Sequence, residues 1–324
     1  MSIQLSVIIP TCNRVEHLKE CLKSLFDQTF SRTNFEIVVV DDGSTDNTTS
    51  LVRLLQKKYK NLKYFKQENK GPAAARNLGL KHTKGHILVL LDDDCEVDNN
   101  WLDNLVKLHR DNNTSIMGGE IVNKGNVFAQ TAQIAQTFWL STIHTSHVKT
   151  LKDFLKLIKK FEGSGPRRFV NFLPSNNFSF KRRVLKNVAF DESFYITGED
   201  LDLCQTLKDK GYKLWYDPAI KIKHNPQLNF FSFIKKHFLY GRGFGYFKRK
   251  HASYHFNIPN SFSNSIKFFL EPLFIPFILS FSSNQIKYKI LCFPLFFLQE
   301  IFFRIGFLNG YYDKNFKDSQ PVIK

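Results

Sequence analysis

A run of five aliphatic residues, Ile87–Leu91, ends abruptly in three consecutive carboxylates, Asp92, Asp93 and Asp94. A continuous aliphatic run of this length is typical of a strand that is buried on both faces of a parallel sheet. In open α/β sheets, ligands bind at the carboxyl ends of such strands. Adjacent carboxylates repel one another, and a bound Mg²⁺ or Mn²⁺, which prefers oxygen ligands, would relieve that repulsion. Alone, the segment is equally consistent with an acidic turn that follows a strand.

Two further apolar runs also end in polar residues. Leu5–Ile9 is followed by Pro10–Arg14, and Phe35–Val40 is followed by Asp41–Asp46. Between these runs, apolar residues recur at helical spacing from Val15 to Leu25. Strands that alternate with helices favour an α/β fold with a mostly parallel sheet. We therefore expect these polar residues to lie at the same edge of the sheet as the three carboxylates.

Five segments together resemble the inverting glycosyltransferases of family 2, which have the GT-A fold. They occur in the family's order and at its spacing, and they are Ser6–Arg14 (SVIIPTCNR), Val38–Thr48 (VVVDDGSTDNT), Asn69–Leu80 (NKGPAAARNLGL), Leu88–Asp94 (LVLLDDD) and Thr197–Leu203 (TGEDLDL). The resemblance is specific over about the first 226 residues and fades after them. It implies a mixed, mostly parallel sheet flanked by helices, and transfer of a sugar from a nucleotide-diphosphate sugar to an acceptor hydroxyl.

The resemblance also implies a divalent cation, Mn²⁺ or Mg²⁺, held by the acidic motif. It assigns Asp92 and Asp94 as metal ligands, with Asp94 as the direct ligand, and leaves Asp93 to hydrogen-bond the ribose of the donor. Several GT-A enzymes use a histidine as a third ligand at the place of His224, which follows the strand-like run Ala219–Lys223. A surface histidine is the alternative for His224.

Other residues at the predicted edge are assigned to the nucleotide sugar. Asp42 matches a position that hydrogen-bonds the base, commonly uracil, so a UDP-sugar is the favoured donor; an Asx turn before Gly43 is the alternative. Arg76 lies in a helix predicted to begin at Gly71-Pro72, and its guanidinium is the candidate to bind the diphosphate oxygens of the donor; a solvent-exposed arginine on the helix is the less favoured alternative. The remaining donor-binding candidates are Pro10, which we expect to end the first strand, and Thr11, Asn13 and Arg14.

Glu199 and Asp200 are the candidates for acid–base chemistry. They precede Leu201, Leu203 and Leu207, which could form the apolar side of a helix, so the acids would lie at its N-terminus. Acids at that place also complement the helix dipole, which is the alternative explanation. The resemblance assigns Asp200 as the general base for the acceptor hydroxyl and Glu199 as a supporting or acceptor-binding acid.

Processive polysaccharide synthases of this family carry a QxxRW motif after the general base. Here Gln205 is followed by Thr206, Leu207 and Lys208, so we expect transfer of a single sugar. The expected acceptor is a membrane-proximal glycan, either lipid-linked or a precursor of a cell-surface polysaccharide.

The formal net charge of the 324-residue chain is +17, and it is concentrated towards the C-terminus. Asn225–Lys324 holds thirteen Lys and Arg against four Asp and Glu, and twenty of the 34 Phe. A basic, Phe-rich segment fits an anionic membrane surface better than a nucleic-acid groove, and no zinc-binding, helix-turn-helix or RNA-binding motif is visible. We therefore expect a membrane partner and no nucleic acid.

Two hydrophobic stretches, Phe268–Phe281 and Tyr288–Leu308, follow in this region. Neither is a clean membrane span, which needs about 20 apolar residues. The first is short and contains prolines, and the second contains Pro294, Gln299, Glu300 and Arg304. Interfacial or re-entrant attachment is the favoured interpretation, and a subunit interface is the alternative. Gly241–Gly245 lies outside a βαβ context and predicts close helix packing or a turn at the membrane.

These patterns predict a GT-A domain at residues 1–226, divided at about residue 117 into nucleotide-binding and acceptor halves, and a membrane-associating region at 227–324. The five cysteines form no CxxC motif, and the chain enters a strand close to Met1, which favours a location on the cytoplasmic face of the cell membrane.

Two other functions remain open at this point. A sugar-1-phosphate nucleotidyltransferase would need a glycine-rich loop near the N-terminus, and Pro10–Arg14 contains no glycine. A non-catalytic membrane scaffold on a transferase fold is disfavoured by the intact Asp92, Asp94 and Asp200.

Overall fold

The structure is a computed structural model that describes residues 3–111, 114–132, 166–187, 189–252, 286–314 and 316. The chain divides into two compact units. The first comprises Met1–Val122 and Pro166–Asn225, and the second comprises Asn123–Gly165 and Pro226–Lys324.

The first unit is built on a mixed sheet flanked by helices. Its strands are β1 (Leu5–Thr11), β2 (Phe35–Asp42), β3 (Leu62–Gln67), β4 (Ile87–Leu91), β5 (Cys95–Val97), β6 (Ile116–Asn123), β7 (Arg168–Val170), β8 (Asn177–Lys181) and β9 (Leu214–His224). Its α-helices are α1 (Val15–Phe26), α2 (Thr48–Lys58), α3 (Gly71–Lys81), α4 (Trp101–His109) and α5 (Glu199–Asp209), and a 3₁₀ helix spans Arg182–Asn187.

Within the described residues, the strand order is β3-β2-β1-β4-β8-β6-β9-β5, and β7 pairs with β9. The pairs among β1, β2, β3 and β4 are parallel. Strands β8, β5 and β7 join the sheet through antiparallel pairs with β4 and β9. The mostly parallel half therefore places the carboxyl ends of four neighbouring strands at one edge, as the alternation of strands and helices predicts.

Both faces of the central strands are buried. In β1, Val7 and Ile9 belong to the same apolar cluster as Leu18 and Leu22 of α1. Ile8, on the opposite face, belongs to a second cluster that includes Ala73 of α3. This double burial explains why the central strands are continuous apolar runs instead of alternating apolar and polar residues.

The strand ends differ from the predicted ones by a few residues. Pro10 does not end β1, because the strand continues to Thr11 and Pro10 is opposite Val40 in the parallel register. A proline at this position donates no hydrogen bond, yet its fixed φ is compatible with an extended backbone. Strand β2 includes Asp41 and Asp42 at its end, and β9 begins five residues before Ala219.

In the second unit, helices α6 (Phe230–Lys250) and α7 (Ile286–Tyr312) pack closely together. A Cβ atom on Gly241 would lie 1.8 Å from the Phe303 carbonyl oxygen, and one on Gly306 would lie 1.9 Å from that of Phe238. Gly245 and Gly310, one helical turn further on, make equivalent approaches. Each helix thus presents a small-xxx-small pair to the other, a spacing that lets helix backbones meet. The prediction of close helix packing at Gly241–Gly245 is confirmed.

The membrane prediction for the C-terminal region is only partly within the described residues. Phe268–Phe281 lies outside them. No helix among the residues that the structure describes is both long enough and apolar enough to cross a membrane. In α7, the polar residues Gln299, Glu300 and Arg304 are buried, and Arg304 pairs with Glu300 at 3.6 Å.

Candidate active site

The three carboxylates after β4 lie at the carboxyl edge of the sheet, and each meets different partners. Asp92 accepts a hydrogen bond from Arg76 at 2.9 Å. Asp93 accepts one from the Thr11 hydroxyl at 2.7 Å. Asp94 accepts one from Arg14 at 2.7 Å. The structure therefore brings together residues from β1, the turn after it, α3 and the end of β4, although the sequence does not predict which partner each acid meets.

Arg14 is held beside two of these acids by the turn that follows β1. Its guanidinium lies 3.3 Å from Asp93 and 2.7 Å from Asp94, and its side chain is 38% exposed. Asn13 before it has a φ of 54°, in the left-handed region that asparagine tolerates. The Asn13 side-chain oxygen accepts the backbone N–H of Thr45 at 2.8 Å, which ties this turn to the loop after β2.

The electrostatic environments of Asp93 and Asp94 differ despite their adjacency. Burial raises the pKa of Asp93 to about 7, and the neighbouring Asp94 charge adds to this while Arg14 opposes it. Burial alone would also raise the pKa of Asp94, but its hydrogen bond and charge contact with His224, together with Arg14, hold that pKa far below the usual range. Asp94 is therefore the acid of the pair that stays ionised at neutral pH.

Arg76 joins the acids after β4 to the acids at the start of α5. Its guanidinium donates to Glu199 at 2.7 Å and to Asp92 at 2.9 Å, and its side chain is only 4% exposed. The sequence pattern marks Arg76 as a phosphate ligand, whereas the structure places it between two carboxylates. The diphosphate contact stays a prediction.

Helix α5 begins at Glu199, so the expectation that Glu199 and Asp200 lie at a helix N-terminus is confirmed. Gly198 before them has a φ of 98°. Burial, followed by the charge of Asp200, raises the pKa of Glu199 to about 7. Burial also raises the pKa of Asp200, which accepts the backbone N–H groups of Ser175 at 3.3 Å and Leu201 at 2.8 Å.

Asp42 is buried and holds the start of α3. Its carboxylate accepts the backbone N–H groups of Lys70 and Gly71, each at 2.8 Å, and a side-chain N–H of Gln67 at 2.7 Å. The Asx-type bond to the following turn is made by Asp41, which accepts the N–H of Ser44 at 2.7 Å. A carboxylate has about four lone-pair directions, so Asp42 retains capacity for one further donor. Its contact with the nucleotide base stays a prediction.

Gly71 allows its own backbone N–H to reach the Asp42 carboxylate. Its φ is 86°, and a Cβ atom there would lie 2.2 Å from the carbonyl oxygen of Tyr195. Only glycine fits a position that combines a left-handed backbone with such a close neighbour.

His224 lies beside the acidic motif, where the resemblance places a third metal ligand. Its Nε2 is 3.3 Å from Asp94 Oδ1, and its side chain is 14% exposed. Donor atoms of Asp94, Cys95 and His224 all lie within 4.8 Å of one another. Asp92 is turned towards Arg76 and is not part of this group. The three donors are of types that divalent cations accept, and they converge, so the residues present fit a cation. Sequence reasoning missed Cys95, whose only signal is its place next to Asp94.

The mixed sheet gathers acids, two arginines and a histidine near the carboxyl ends of its parallel strands, which is the arrangement expected of a glycosyltransferase with the GT-A fold. The sequence model of glycosyl transferase family 2 matches residues 6–188, and the chain belongs to that family. It is therefore a glycosyltransferase, as the five sequence segments predict.

Three similar proteins illustrate the relationship. The chain is 27% identical over 285 residues, 86% of its length and 83% of the relative's, to the dolichyl N-acetyl-alpha-D-glucosaminyl phosphate 3-beta-D-2,3-diacetamido-2,3-dideoxy-beta-D-glucuronosyltransferase of Methanococcus voltae. It is 33% identical over 213 residues, 64% of its length and 61% of the relative's, to the GalNAc(5)-diNAcBac-PP-undecaprenol beta-1,3-glucosyltransferase of Campylobacter jejuni. A mannosyltransferase of Pyrobaculum calidifontis, solved with GDP-Man and Mn²⁺, superposes with a TM-score of 0.62 at 17% identity, covering 97% of this chain and 88% of that one. The last similarity shows the fold alone.

Proposed function

We propose that the chain transfers one sugar from a nucleotide-diphosphate sugar, with a UDP-sugar favoured, to a hydroxyl of a lipid-linked or cell-surface polysaccharide precursor, with inversion at the anomeric carbon. The observation that carries this proposal is the bridge made by buried Arg76. It links Asp92, in the acidic motif, to Glu199, which is 107 positions further along the chain. Groups suited to a leaving diphosphate and groups suited to an attacking hydroxyl are therefore parts of one site.

The donor side of the site contains Asp94 and His224, which would hold a divalent cation, Mn²⁺ or Mg²⁺. When bound, such a cation stabilises the negative charge that develops on the leaving nucleotide diphosphate. Arg14 is a partly exposed cationic group beside Asp94, and it can turn from Asp93 and Asp94 to phosphate oxygens. Thr11, Asn13 and Asp42 lie on or next to the ends of β1 and β2, where the nucleoside of the donor is expected.

The acceptor side of the site provides the general base. Glu199 is paired with Arg76, whereas Asp200 accepts the backbone N–H groups of Ser175 and Leu201. The raised pKa of Asp200, caused first by its burial, makes it a stronger base than an exposed aspartate. Asp200 takes the acceptor proton as the acceptor oxygen bonds to the anomeric carbon and the bond to the diphosphate breaks. A single displacement of this kind inverts the anomeric configuration.

The names of the relatives support a lipid-linked acceptor, because one contains dolichyl phosphate and the other undecaprenol diphosphate. We propose a location on the cytoplasmic face of the membrane, with the second unit on the lipid surface. Phe231 at the start of α6 is 80% exposed and Phe230 is 42% exposed, and Lys235 follows them on the helix. Exposed aromatic residues beside basic ones are typical of interfacial segments.

The activity is tested with the purified full-length chain. Mass spectrometry of retained nucleotide sugars identifies the donor, and a polyprenyl-diphosphate-linked sugar serves as the acceptor. We expect one sugar to be added and the anomeric proton coupling of the product to show inversion. A product with retained configuration, or addition of many sugars, would contradict the proposed reaction.

The general base is tested by Asp200→Asn, with Asp209→Asn as the matched control in the last turn of the same helix. Loss of the base should lower turnover by about 10²–10⁴-fold while the dissociation constant of the donor stays unchanged. The control should retain normal turnover. If Asp200→Asn also retained it, the base would have to be Glu199 or another group.

Membrane attachment is tested by co-sedimentation with anionic and neutral vesicles. Replacing Phe230 and Phe231 with serine should weaken binding to both kinds of vesicle, and replacing Lys235 with glutamine should weaken only anionic binding. Leu54→Ser is the control, because Leu54 is 63% exposed on α2 of the first unit. Equal sedimentation of all variants would show that these residues of α6 do not contribute to membrane binding.

A further inference from the structure

We propose that the Cys95 sulfur is a third protein ligand of the cation site, with Asp94 and His224, and that it shifts the site's selectivity towards thiophilic divalent cations such as Zn²⁺ and Co²⁺. The inference rests on the proposed function, because it refines the cation that the same site takes. It differs from the sequence-based ligand set, in which Asp92 and Asp94 were joined by His224.

The placement of Cys95 follows from the sheet. Strands β5 and β9 are antiparallel, and Cys95 lies directly opposite His224 in their register. Residues directly opposite each other in an antiparallel pair place their side chains on the same face of the sheet. Asp94, immediately before β5, completes the group of three donors.

Two of the three donor separations are close to those of a tetrahedral site. For oxygen and nitrogen ligands at about 2.0 Å from zinc, the tetrahedral angle sets their separation at about 3.3 Å, and for sulfur at about 2.3 Å the sulfur–oxygen separation is about 3.5 Å. The structure has 3.3 Å between His224 Nε2 and Asp94 Oδ1 and 3.8 Å between Cys95 Sγ and the same oxygen. A catalytic zinc site usually has three protein ligands and leaves the fourth position to water or a substrate.

The charge of this donor set matches that of a dication, although burial and the charges of Asp94, Asp92 and Asp93 raise the pKa of the Cys95 thiol in the absence of metal. A thiolate, a carboxylate and a neutral imidazole balance a dication, so metal binding releases to solvent the thiol proton and any proton that His224 carries on its binding nitrogen. Arg14 donates to Asp94 Oδ2, which leaves Oδ1 to face His224 and Cys95. A hydrogen bond to the second oxygen of a metal-bound carboxylate fixes its orientation. The competing explanation is that Cys95, which is fully buried, only fills the apolar core and donates weakly to Asp94.

Co²⁺ distinguishes these explanations, because a thiolate bound to Co²⁺ gives an intense near-ultraviolet charge-transfer band that oxygen and nitrogen ligands do not give. The full-length chain is titrated with Co²⁺, with and without UDP and GDP. Cys95→Ala removes the proposed ligand. Cys21→Ala is the matched control, because Cys21 is buried in the same apolar cluster and its thiol donates to the Asp92 backbone oxygen at 3.6 Å.

We expect the band in the wild type and in Cys21→Ala, and its absence in Cys95→Ala. Zinc binds most sites of this kind more tightly than Mn²⁺, so the test compares the ratio of the two dissociation constants in the wild type with the ratio in Cys95→Ala. Cys95→Ala should weaken Zn²⁺ binding by more than about 100-fold, which exceeds the effect of losing a residue that contacts a ligand without binding the metal. The same variant should weaken Mn²⁺ binding much less. Circular dichroism confirms that each variant is folded, and Cys95→Ser provides a second variant if Cys95→Ala does not fold.

Co²⁺ binding without the band in the wild type would overturn the role of Cys95 while leaving a cation at Asp94 and His224. A band that persists in Cys95→Ala would also overturn it, whatever Cys21→Ala shows. Failure of Co²⁺, Zn²⁺ and Mn²⁺ to bind under any of these conditions would overturn the proposed metal dependence together with this inference.

Discussion

Replacing Arg76 with methionine should destabilise the first unit strongly, because Arg76 compensates two carboxylates at once. Removing one partner of a buried ion pair typically costs about 3–5 kcal/mol, since the other charge is left without compensation. The contact with Glu199 carries most of this, because both side chains are less than a tenth exposed. The contact with Asp92 contributes less, because the Asp92 side chain is 31% exposed and solvent screens its charge. We expect Arg76→Met to lower the free energy of unfolding by about 3 kcal/mol.

The assay is urea unfolding at pH 8 followed by far-ultraviolet circular dichroism, with EDTA present throughout so that bound metal does not differ between samples. Adding Glu199→Gln to Arg76→Met removes the uncompensated carboxylate and should recover at least about 1 kcal/mol. Arg53→Met, on the exposed face of α2, is the control and should change stability by less than about 0.5 kcal/mol. A loss below about 1 kcal/mol in Arg76→Met, or a double variant as unstable as the sum of the single ones, would refute the reasoning.

Three further predictions follow from single features. Gly71→Ala should cost clearly more stability than Gly211→Ala in thermal melts, because both glycines have a φ above 80° but only Gly71 has a backbone atom in the way; equal losses would contradict the close contact. The pKa of Glu199 is raised from about 4.5 in the unfolded chain to about 7 in the fold, so its contribution to stability is complete below pH 4.5 and is lost as the pH rises to 7. Glu199→Gln should therefore flatten the dependence of the free energy of unfolding on pH over that range, and an unchanged slope would contradict the burial of Glu199. Gly245→Leu should lower the melting temperature of the second unit, because it separates α6 from α7; an unchanged melt would contradict their packing.

The sequence predicts those parts of the fold and site that depend on local pattern. Ile87–Leu91 is a central strand because an uninterrupted aliphatic run has few other stable positions. Asp92–Asp94 lie at the sheet edge because the strand ends there. Helix α5 begins at Glu199 because a flexible glycine precedes two acids that favour the positive end of a helix.

What the sequence could not predict depends on contacts between distant segments. The pairing of Arg76 with Glu199 requires α3 and α5 to approach the same edge, which no local pattern specifies. The position of Cys95 opposite His224 requires the antiparallel register of β5 with β9. Asp42 matched a nucleotide-binding pattern, yet its hydrogen bonds to Lys70 and Gly71 appear only when the start of α3 is in place.

The balance of charge at the edge leads to a last prediction, that metal and nucleotide bind cooperatively. Arg14 pairs with Asp93 and Asp94, Arg76 pairs with Asp92 and Glu199, and the charge of Arg76 also acts on Asp200. At pH 8, above the pKa values of about 7 of Asp93 and Glu199, these five acids outnumber the two guanidinium groups. A diphosphate adds further negative charge to a site that already has an excess. A dication should therefore tighten UDP binding, and by thermodynamic linkage UDP should tighten the binding of the dication by the same factor, within about 5–150-fold.

Isothermal titration of UDP with Mn²⁺ or with EDTA, and of Mn²⁺ with and without UDP, measures both factors at constant ionic strength. Asp94→Asn should abolish the coupling, because it removes the carboxylate that stays ionised between Arg14 and His224. Asp98→Asn should preserve it, because Asp98 is half-exposed and pairs with Lys223. If UDP bound equally tightly in EDTA, the arginines alone would have to neutralise the diphosphate, and the argument from charge balance would fail.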